Sequence, residues 1–208
     1  MNETRSLALD IGGVILADPM PVLLNALVAA SPLTRPALLD AYLGLVYPLW
    51  SGDDSEEEFF AALLDAARLP DDPEPWRALI IDAMAPLPAA YHLARWSRAA
   101  TLVVHSNQRT EWLMPALERY DLAHYFSEFF VSDETGLVKP AVESFSVLDH
   151  LPSLVYVDDR EVNVNVARVY GATALRADRS SRWIERLDRT LAAEPTRSAR
   201  TPHLVAVR

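Results

Sequence analysis

Acidic side chains at two places in this sequence could bind a metal ion or attack a substrate. Asp10 follows the apolar segment 6–9, and the adjacent Asp158 and Asp159 follow the apolar segment 154–157. Two adjacent carboxylates repel each other unless a cation is near, and Mg²⁺ suits such a small set of oxygen ligands. The acids therefore predict a Mg²⁺ site. Each acid also has a simpler interpretation. Asp10 could begin a turn, and one acid of the adjacent pair could be a helix N-cap.

Lys139 is the only lysine of the chain, since arginine supplies the rest of its 19 basic side chains. Arginine presents a planar fork, whereas lysine presents a compact charge on a flexible stem. A single lysine in such a chain indicates a pocket that the fork does not fit. The alternative is an exposed lysine at the start of a helix.

Ser106 and Asn107 follow a further apolar segment, 100–104. Their polar groups could bind an anion, or they could organise a strand-to-helix turn.

Short apolar segments that alternate with helical patterns predict an α/β fold. We expect strands at 6–9, 100–104, 129–131, 154–157 and 173–175. Helices between them favour a Rossmann-like parallel sheet flanked by helices, with right-handed crossovers. Ligands of such sheets bind beyond the carboxyl ends of the strands. The acids, Lys139, Ser106 and Asn107 all follow predicted strands, so we expect them to meet at one edge.

A helical block interrupts this alternation. Helical periodicity covers 22–30, 36–47, 56–68 and 75–84, and Ser55 with Glu58 forms a capping box for the third of these helices. We therefore predict an α/β core from 1–18 and 87–193 with a small all-helical cap at 19–86. The segment 194–208, rich in Arg, Thr, Ser and Pro, is predicted to be a flexible tail.

Composition excludes several classes of protein. The formal charge of −10 over 208 residues repels nucleic acids and anionic membrane surfaces. The absence of cysteine excludes disulfides and thiolate metal sites. No apolar run reaches the length of a membrane span. We expect a soluble cytoplasmic protein without nucleic-acid or membrane partners, and the sequence is compatible with a monomer or a homodimer.

Four segments together resemble a known family. They are LALDIGGV at 7–14, VVHSN at 103–107, SDETGLVKP at 132–140 and YVDDREVNVNVARVYG at 156–171. In order and spacing they are similar to the haloacid dehalogenase superfamily, specifically its phosphatase branch with a helical cap inserted after the first motif. The resemblance covers about residues 5–190.

The resemblance implies that Asp10 attacks phosphorus to form an aspartyl-phosphate, which water then hydrolyses. It also implies that Mg²⁺ is held by the Asp10 side chain, the Gly12 carbonyl and Asp159, with Asp158 close by or acting through water.

Three further residues would bind the phosphoryl group. The resemblance implies that Ser106 and the Asn107 backbone donate to its oxygens, while Lys139 pairs with Asp10 and with the transferring group. Asn163 would orient the acidic pair, or it is a helix-surface amide. The substrate would be a small phosphorylated metabolite, possible examples being sugar phosphates.

Gly12 departs from the pattern of the family. Most phosphatases of the family carry a second aspartate at this position, where it protonates the leaving oxygen and later activates water. A general acid contributes roughly 10²–10⁴-fold to the rate. Without it, we expect a preference for leaving groups that depart readily, or an acid borrowed from the cap.

The predicted cap should select the substrate by closing over the strand ends. Trp50, Gly52, Asp53 and Asp54 form a polar break that could face the core, although a solvated loop is the simpler interpretation of the two acids. Tyr47 and Trp76 are expected to pack against other residues. His105 is expected to be a hydrogen-bonded core histidine.

Two other functions remain open at this stage. A metal-free haloacid dehalogenase would use Asp10 on carbon and would not need the acidic pair. A catalytically silent phosphate-binding or regulatory module is compatible with Gly12.

Overall fold

One parallel sheet organises the protein. The computed structural model describes residues 5–193, and the predicted tail at 194–208 lies outside the described residues. The strands are β1 (Ser6–Leu9), β2 (Thr101–Ser106), β3 (Glu128–Val131), β4 (Leu154–Asp158) and β5 (Thr173–Arg176). Their order is β3-β2-β1-β4-β5, and every pairing is parallel. The predicted α/β, Rossmann-like fold is confirmed.

Helices connect the strands, and four of them lie within the segment 19–86. In the described residues they are α1 (Met20–Ala30), α2 (Arg35–Ser51), α3 (Glu56–Ala66), α4 (Glu74–Ala83), α5 (Leu93–Trp96), α6 (Thr110–Arg119), α7 (Ser132–Thr135), α8 (Glu161–Val169) and α9 (Arg182–Ala192). Short 3-10 helices lie at Pro88–His92, Ala123–Tyr125 and Val142–Leu148. We refer to α1–α4 as the cap.

The sequence explains two ends of the cap helices. Ser55 and Glu58 form the predicted capping box at the start of α3, with hydrogen bonds of 3.2 and 2.8 Å. The second helix runs four residues beyond its predicted end and stops at Gly52, which has a left-handed conformation. Trp50 therefore lies within α2, and the polar break begins only at Gly52.

The chain enters and leaves the cap at one place. Leu16 and Pro86 form an antiparallel bridge. The Ala17 amide donates to the Ala85 carbonyl at 2.8 Å, and the Leu87 amide donates to the Ile15 carbonyl at 2.8 Å. The crossing lies beside the predicted boundaries of the insert, 19 and 86.

Alternation along the strands gives the sheet two buried faces. Leu7 and Leu9 of β1 belong to a large apolar cluster that also contains Leu27 and Phe59 of the cap and Trp112 of α6. The opposite face packs against α8 and the segment Val142–Leu148. Because one cluster includes cap and sheet residues, the cap is fixed to the sheet by hydrophobic burial.

A buried charge network adds to this attachment. Glu56, at the start of α3, accepts hydrogen bonds from Arg77 of α4 at 2.5 and 2.8 Å. The same carboxylate accepts the Trp112 indole N–H at 2.5 Å. Glu56 thus joins two cap helices to α6.

The described chain, residues 5–193, contains no helix with both the length and the apolar character needed to cross a bilayer.

Candidate active site

The predicted site residues meet at the carboxyl edge of the sheet. Asp10 directly follows β1, Ser106 ends β2 and Asp158 ends β4. Parallel strands bring these ends to the same edge, as expected for ligand sites of such sheets. Lys139 reaches the same point from the loop after α7, with its ammonium 3.3 Å from Asp10 Oδ1.

Asp10 is buried and held in one orientation. Its Oδ1 accepts hydrogen bonds from the Ser106 hydroxyl at 2.7 Å and from the Ile11 amide at 2.8 Å. Burial raises the pKa of Asp10 above its ordinary value; Lys139 opposes this effect, and Asp158 adds to it. Lys139 therefore neutralises the negative charge of Asp10 only in part, and a bound cation would neutralise the remainder.

Lys139 is also buried, so the alternative of an exposed lysine is wrong. Its ammonium donates to the His105 carbonyl at 2.7 Å and to Asp158 Oδ2 at 2.8 Å. Burial acts to lower the pKa of Lys139, but the Asp10 and Asp158 carboxylates outweigh it and the pKa is raised. The side chain is therefore a fixed positive charge beside Asp10.

The Asn107 side chain holds the loop that carries Lys139. Its Nδ2 donates to the Lys139 carbonyl at 2.8 Å, and its Oδ1 accepts from the Lys139 amide at 2.9 Å. The alternative interpretation from the sequence is that Asn107 organises the turn after its own strand. Its side chain instead joins that turn to the loop that carries Lys139. The Asn107 backbone role predicted from the resemblance stays a prediction.

Asp158 is fully buried and surrounded by donors. Besides Lys139, it accepts hydrogen bonds from the Tyr156 hydroxyl at 2.9 Å and from the Arg160 amide at 2.9 Å. The Asn163 amide donates to both of its oxygens, at 2.9 and 3.0 Å. Both oxygens are thus occupied by the protein, which makes Asp158 the anchor of Lys139.

Asn163 is buried, and the helix-surface alternative is therefore wrong. Its hydrogen bonds go to Asp158, whereas the prediction concerned both acids of the pair. Its Oδ1 is buried without a partner among the described residues.

Asp159 faces the site from a less buried position. Burial and the neighbouring Asp158 raise the pKa of Asp159 above its ordinary value. One carboxylate oxygen from each of Asp10, Asp158 and Asp159 can be chosen so that all three lie within 4.8 Å of one another. Such a group of acids suits a hard dication.

The two glycines after Asp10 differ. Gly13 has φ +76°, and a Cβ there would lie 2.6 Å from Asp159 Oδ2, so a larger residue would displace that carboxylate. Gly12 is not in the left-handed region, and its Cβ would meet nothing within 4 Å.

A cavity of about 340 Å³ lies over these groups. Its lower end contains Asp10, Gly12, Ser106, Asn107, Lys139, Asp159 and Asn163, and α1 and α2 of the cap form much of the rest. Tyr42 and Trp50 are its aromatic wall residues. The cavity is at the low end of the size range of small-ligand pockets.

The other predicted cap residues lie outside this cavity. Tyr47 is 59% exposed, so the expectation that it packs is wrong; it lies one turn from the equally exposed Leu43 on the outer face of α2. Trp76 packs against the large apolar cluster as expected. Asp53 accepts the Ser51 hydroxyl at 2.7 Å.

The loop after α2 touches the sheet domain. The Asp54 carbonyl accepts a hydrogen bond from Arg109 at 3.2 Å. A Cβ on Gly52 would lie 2.2 Å from the Asp133 carbonyl, so only glycine fits this contact. The polar break therefore serves the junction between cap and sheet.

The sequence did not single out Tyr156 as a residue of the site. Alternation in β4 places Tyr156 on the same face as Asp158, which was the available signal. His105 is buried as expected, against Phe145 and Tyr156, and it forms a hydrogen bond with the Ser144 backbone. Its Nδ1 has no partner among the described residues.

Comparison with known proteins identifies the fold. No family model matches the chain, and no curated protein matches its sequence. A predicted haloacid dehalogenase-like hydrolase from Porphyromonas gingivalis is 21% identical, with a TM-score of 0.73 over 92% of this chain and 99% of that one. An enzyme of the same family from Bacteroides thetaiotaomicron, solved with magnesium, is 15% identical, with a TM-score of 0.75 over 89% and 99%.

A third similar structure is L-2-haloacid dehalogenase from Xanthobacter autotrophicus with chloropropionic acid covalently bound. It is 14% identical, with a TM-score of 0.60 over 91% of this chain and 85% of that one. These likenesses show that the chain has the haloacid dehalogenase-like fold, as the four sequence segments predicted.

Proposed function

We propose that this chain, which has the haloacid dehalogenase-like fold, is a Mg²⁺-dependent phosphatase that hydrolyses a small phosphorylated metabolite through an aspartyl-phosphate. One observation carries the proposal. The three carboxylates Asp10, Asp158 and Asp159 converge within 4.8 Å, and the Lys139 ammonium lies 3.3 Å from Asp10. Phosphoryl transfer needs such a combination of nucleophile and positive charge.

The acids present fit magnesium. Asp10, Asp159 and the Gly12 carbonyl would hold the ion, whereas Asp158 is occupied by Lys139 and Asn163. When bound, the ion would neutralise charge on the nucleophile and on the phosphoryl group. The magnesium and inorganic phosphate bound by the Bacteroides thetaiotaomicron enzyme in a further structure support the same assignment here.

Asp10 is the proposed nucleophile because its orientation is fixed before substrate binds. Ser106 and Ile11 hold Oδ1, and Oδ2 accepts no hydrogen bond from residues 5–193. Attack on phosphorus forms the Asp10–phosphate bond while the bond to the leaving oxygen breaks. The Asn107 backbone N–H would donate to a phosphoryl oxygen, and the Ser106 hydroxyl would do so by turning its one proton away from Asp10 Oδ1.

Lys139 supplies fixed charge during this step. Its ammonium is already held beside Asp10 by Asp158 and by the His105 carbonyl. It can therefore stabilise the developing negative charge of the phosphoryl oxygens without reorganisation. Water then hydrolyses the acyl phosphate and regenerates the Asp10 carboxylate.

Phosphate release from a panel of phosphorylated metabolites tests the proposal. We expect release that requires Mg²⁺, is abolished by EDTA and falls at least about a thousandfold in Asp10→Asn. A matched assay with 2-chloropropionate measures the competing dehalogenase reaction. Halide release that resists EDTA would show that the protein is a dehalogenase and not a phosphatase. Release of neither phosphate nor halide would indicate a catalytically silent binding module.

A further inference from the structure

The cavity extends beyond the groups that handle phosphate. Its cap end contains the apolar side chains of Met20, Leu24 and Leu39 together with the aromatic side chains of Tyr42 and Trp50. These residues can surround the part of a substrate that leaves with the bridging oxygen. A small apolar or aromatic body suits such a wall.

Two arginines also line this cavity. Arg35 is the first residue of α2, and Arg160 follows the acidic pair. Within residues 5–193 neither guanidinium forms a salt bridge; Arg35 donates to the neutral Asn25 side chain at 2.5 Å. Arg160 directly follows Asp159 and lines the sheet side of the cavity, and both arginines are exposed to solvent.

The other cations near the site have acidic partners. Lys139 is paired with Asp10 and Asp158, and Arg109 with Glu111 and Asp133. Lys139 and the proposed Mg²⁺ compensate the nucleophile and the phosphoryl group, so they are not available to the rest of the substrate.

Outside the catalytic group, the charged residues that line the cavity carry a net positive charge. Among the described residues that line the cavity, Asp18 is the only carboxylate outside the catalytic group, and its Oδ1 accepts the Met20 amide at 3.0 Å. The lining outside the catalytic group thus contains one carboxylate and two guanidinium groups. Arginine forks match carboxylate and phosphate groups geometrically, and they bind them by charge-assisted hydrogen bonds.

We propose that the leaving group of the substrate is a small apolar or aromatic alcohol that carries a second anionic group, and that Arg35 and Arg160 bind this group. The inference rests on the proposed function, because it assigns the phosphoryl end of the substrate to Asp10 and Lys139. It narrows the substrate class from phosphorylated metabolites in general to those with an anionic, partly apolar leaving group.

Two probes of the same shape test the assignment. The probes are 4-carboxyphenyl phosphate and 4-carbamoylphenyl phosphate, which differ by one charge. Their Kd values are measured calorimetrically on Asp10→Asn protein with Mg²⁺ at low ionic strength. We expect the carboxylated probe to bind about tenfold more tightly, and the ratio of the two Kd values to approach one as salt is raised.

Variants then locate the anion-binding residues. Arg35→Gln and Arg160→Gln, each combined with Asp10→Asn, should reduce the Kd ratio severalfold. Arg98→Gln is the matched control, since Arg98 is an exposed arginine outside the cavity, and it should keep the ratio. Equal affinity for the two probes, binding of neither probe, or equal loss in the control would overturn the inference.

Turnover by the unmodified protein separates this inference from the proposed function. If both probes release phosphate with Mg²⁺ but have equal Kd values, the proposed anionic leaving group is wrong and the proposed phosphatase activity is retained. Absence of release from every ester overturns the phosphatase, while the Kd ratio still decides whether the arginines form an anion site.

Discussion

Gly12 stands two residues after Asp10, at the position where the sequence resemblance leads us to expect a proton-donating aspartate. Its backbone tolerates a side chain, and a Cβ would meet no atom within 4 Å. The cavity over Gly12 also leaves room for a carboxyl group. The structure around position 12 would therefore accommodate an aspartate, and the general acid is missing only because the residue there is glycine.

Gly12→Asp should accelerate hydrolysis of esters whose leaving alcohol has a high pKa. We expect a gain of roughly tenfold or more in kcat/KM for alkyl phosphates and little change for aryl phosphates, because only the former need a proton during bond cleavage. Gly12→Asn is the isosteric control without a transferable proton. An equal gain in Gly12→Asn, or equal gains for both ester classes, would contradict this role for Gly12.

His105 provides a prediction about pH and stability. Burial lowers the pKa of His105 well below its ordinary value, and the nearby Lys139 ammonium acts in the same direction. The folded protein therefore keeps His105 neutral, while the unfolded chain takes up a proton below about pH 6.5. The stability contributed by this difference is present above that pH and is lost as the pH falls through it.

The comparison with His105→Phe isolates the effect, because the titrating carboxylates are common to both proteins. The free energy of unfolding of the unmodified protein should fall relative to the variant by up to about 1.4 kcal/mol per pH unit below pH 6.5. Urea unfolding between pH 7.5 and 5.5 measures it. A constant difference over this range would show that His105 is not kept neutral by the fold.

At the scale of elements, α3 is attached to α4 and α6 through one carboxylate. Glu56 has a side chain that is 4% exposed, and it accepts hydrogen bonds from Arg77 and Trp112. Glu57, the next residue, is 73% exposed and lies 3.7 Å from the same arginine. The pair provides a buried and an exposed version of one interaction.

Glu56→Gln should lower the free energy of unfolding by about 1–3 kcal/mol, because a neutral amide weakens the charge-assisted hydrogen bonds from Arg77. The loss should be smaller than for a fully buried ion pair, because Arg77 is partly exposed. Glu57→Gln should change it by less than about 0.5 kcal/mol. Urea unfolding of the two variants checks this. Equal effects would mean that the buried network does not hold the cap to α6.

The elements that position the site could be read from the sequence, because each strand is a short apolar segment that ends at a polar residue. Asp10, Ser106 and Asp158 therefore appeared in the right places. The inward orientation of Asn163 could not be read, since a polar residue on a helix is equally compatible with solvent. The Lys139 contact of Asp158 and the contacts of Glu56 with Arg77 and Trp112 depend on packing between separate segments of the chain, which local patterns do not encode.

At the scale of the whole molecule, the cap and the sheet share one apolar cluster, so a ligand that binds the folded site should stabilise both together. We expect Mg²⁺ to raise the Tm, with a stabilisation of about 2.7 kcal/mol at a concentration one hundred times its Kd. Asp159→Asn should abolish this shift, and Asp72→Asn, an exposed acid outside the cavity, should keep it.

Calorimetric melting with and without Mg²⁺, followed by addition of EDTA, measures the shift. A shift that survives in Asp159→Asn, or one that Asp72→Asn removes equally, would place the ion elsewhere on the acidic surface.

The central claim is that Asp10 carries the phosphoryl group between substrate and water. Acid quenching during turnover of acetyl phosphate with Mg²⁺, then borohydride reduction and peptide mass spectrometry, tests it most directly, because reduction converts an aspartyl-phosphate to homoserine. The account predicts homoserine at position 10 and none after EDTA treatment. Phosphate release with Asp10 recovered unchanged, or with homoserine at another aspartate, would contradict it.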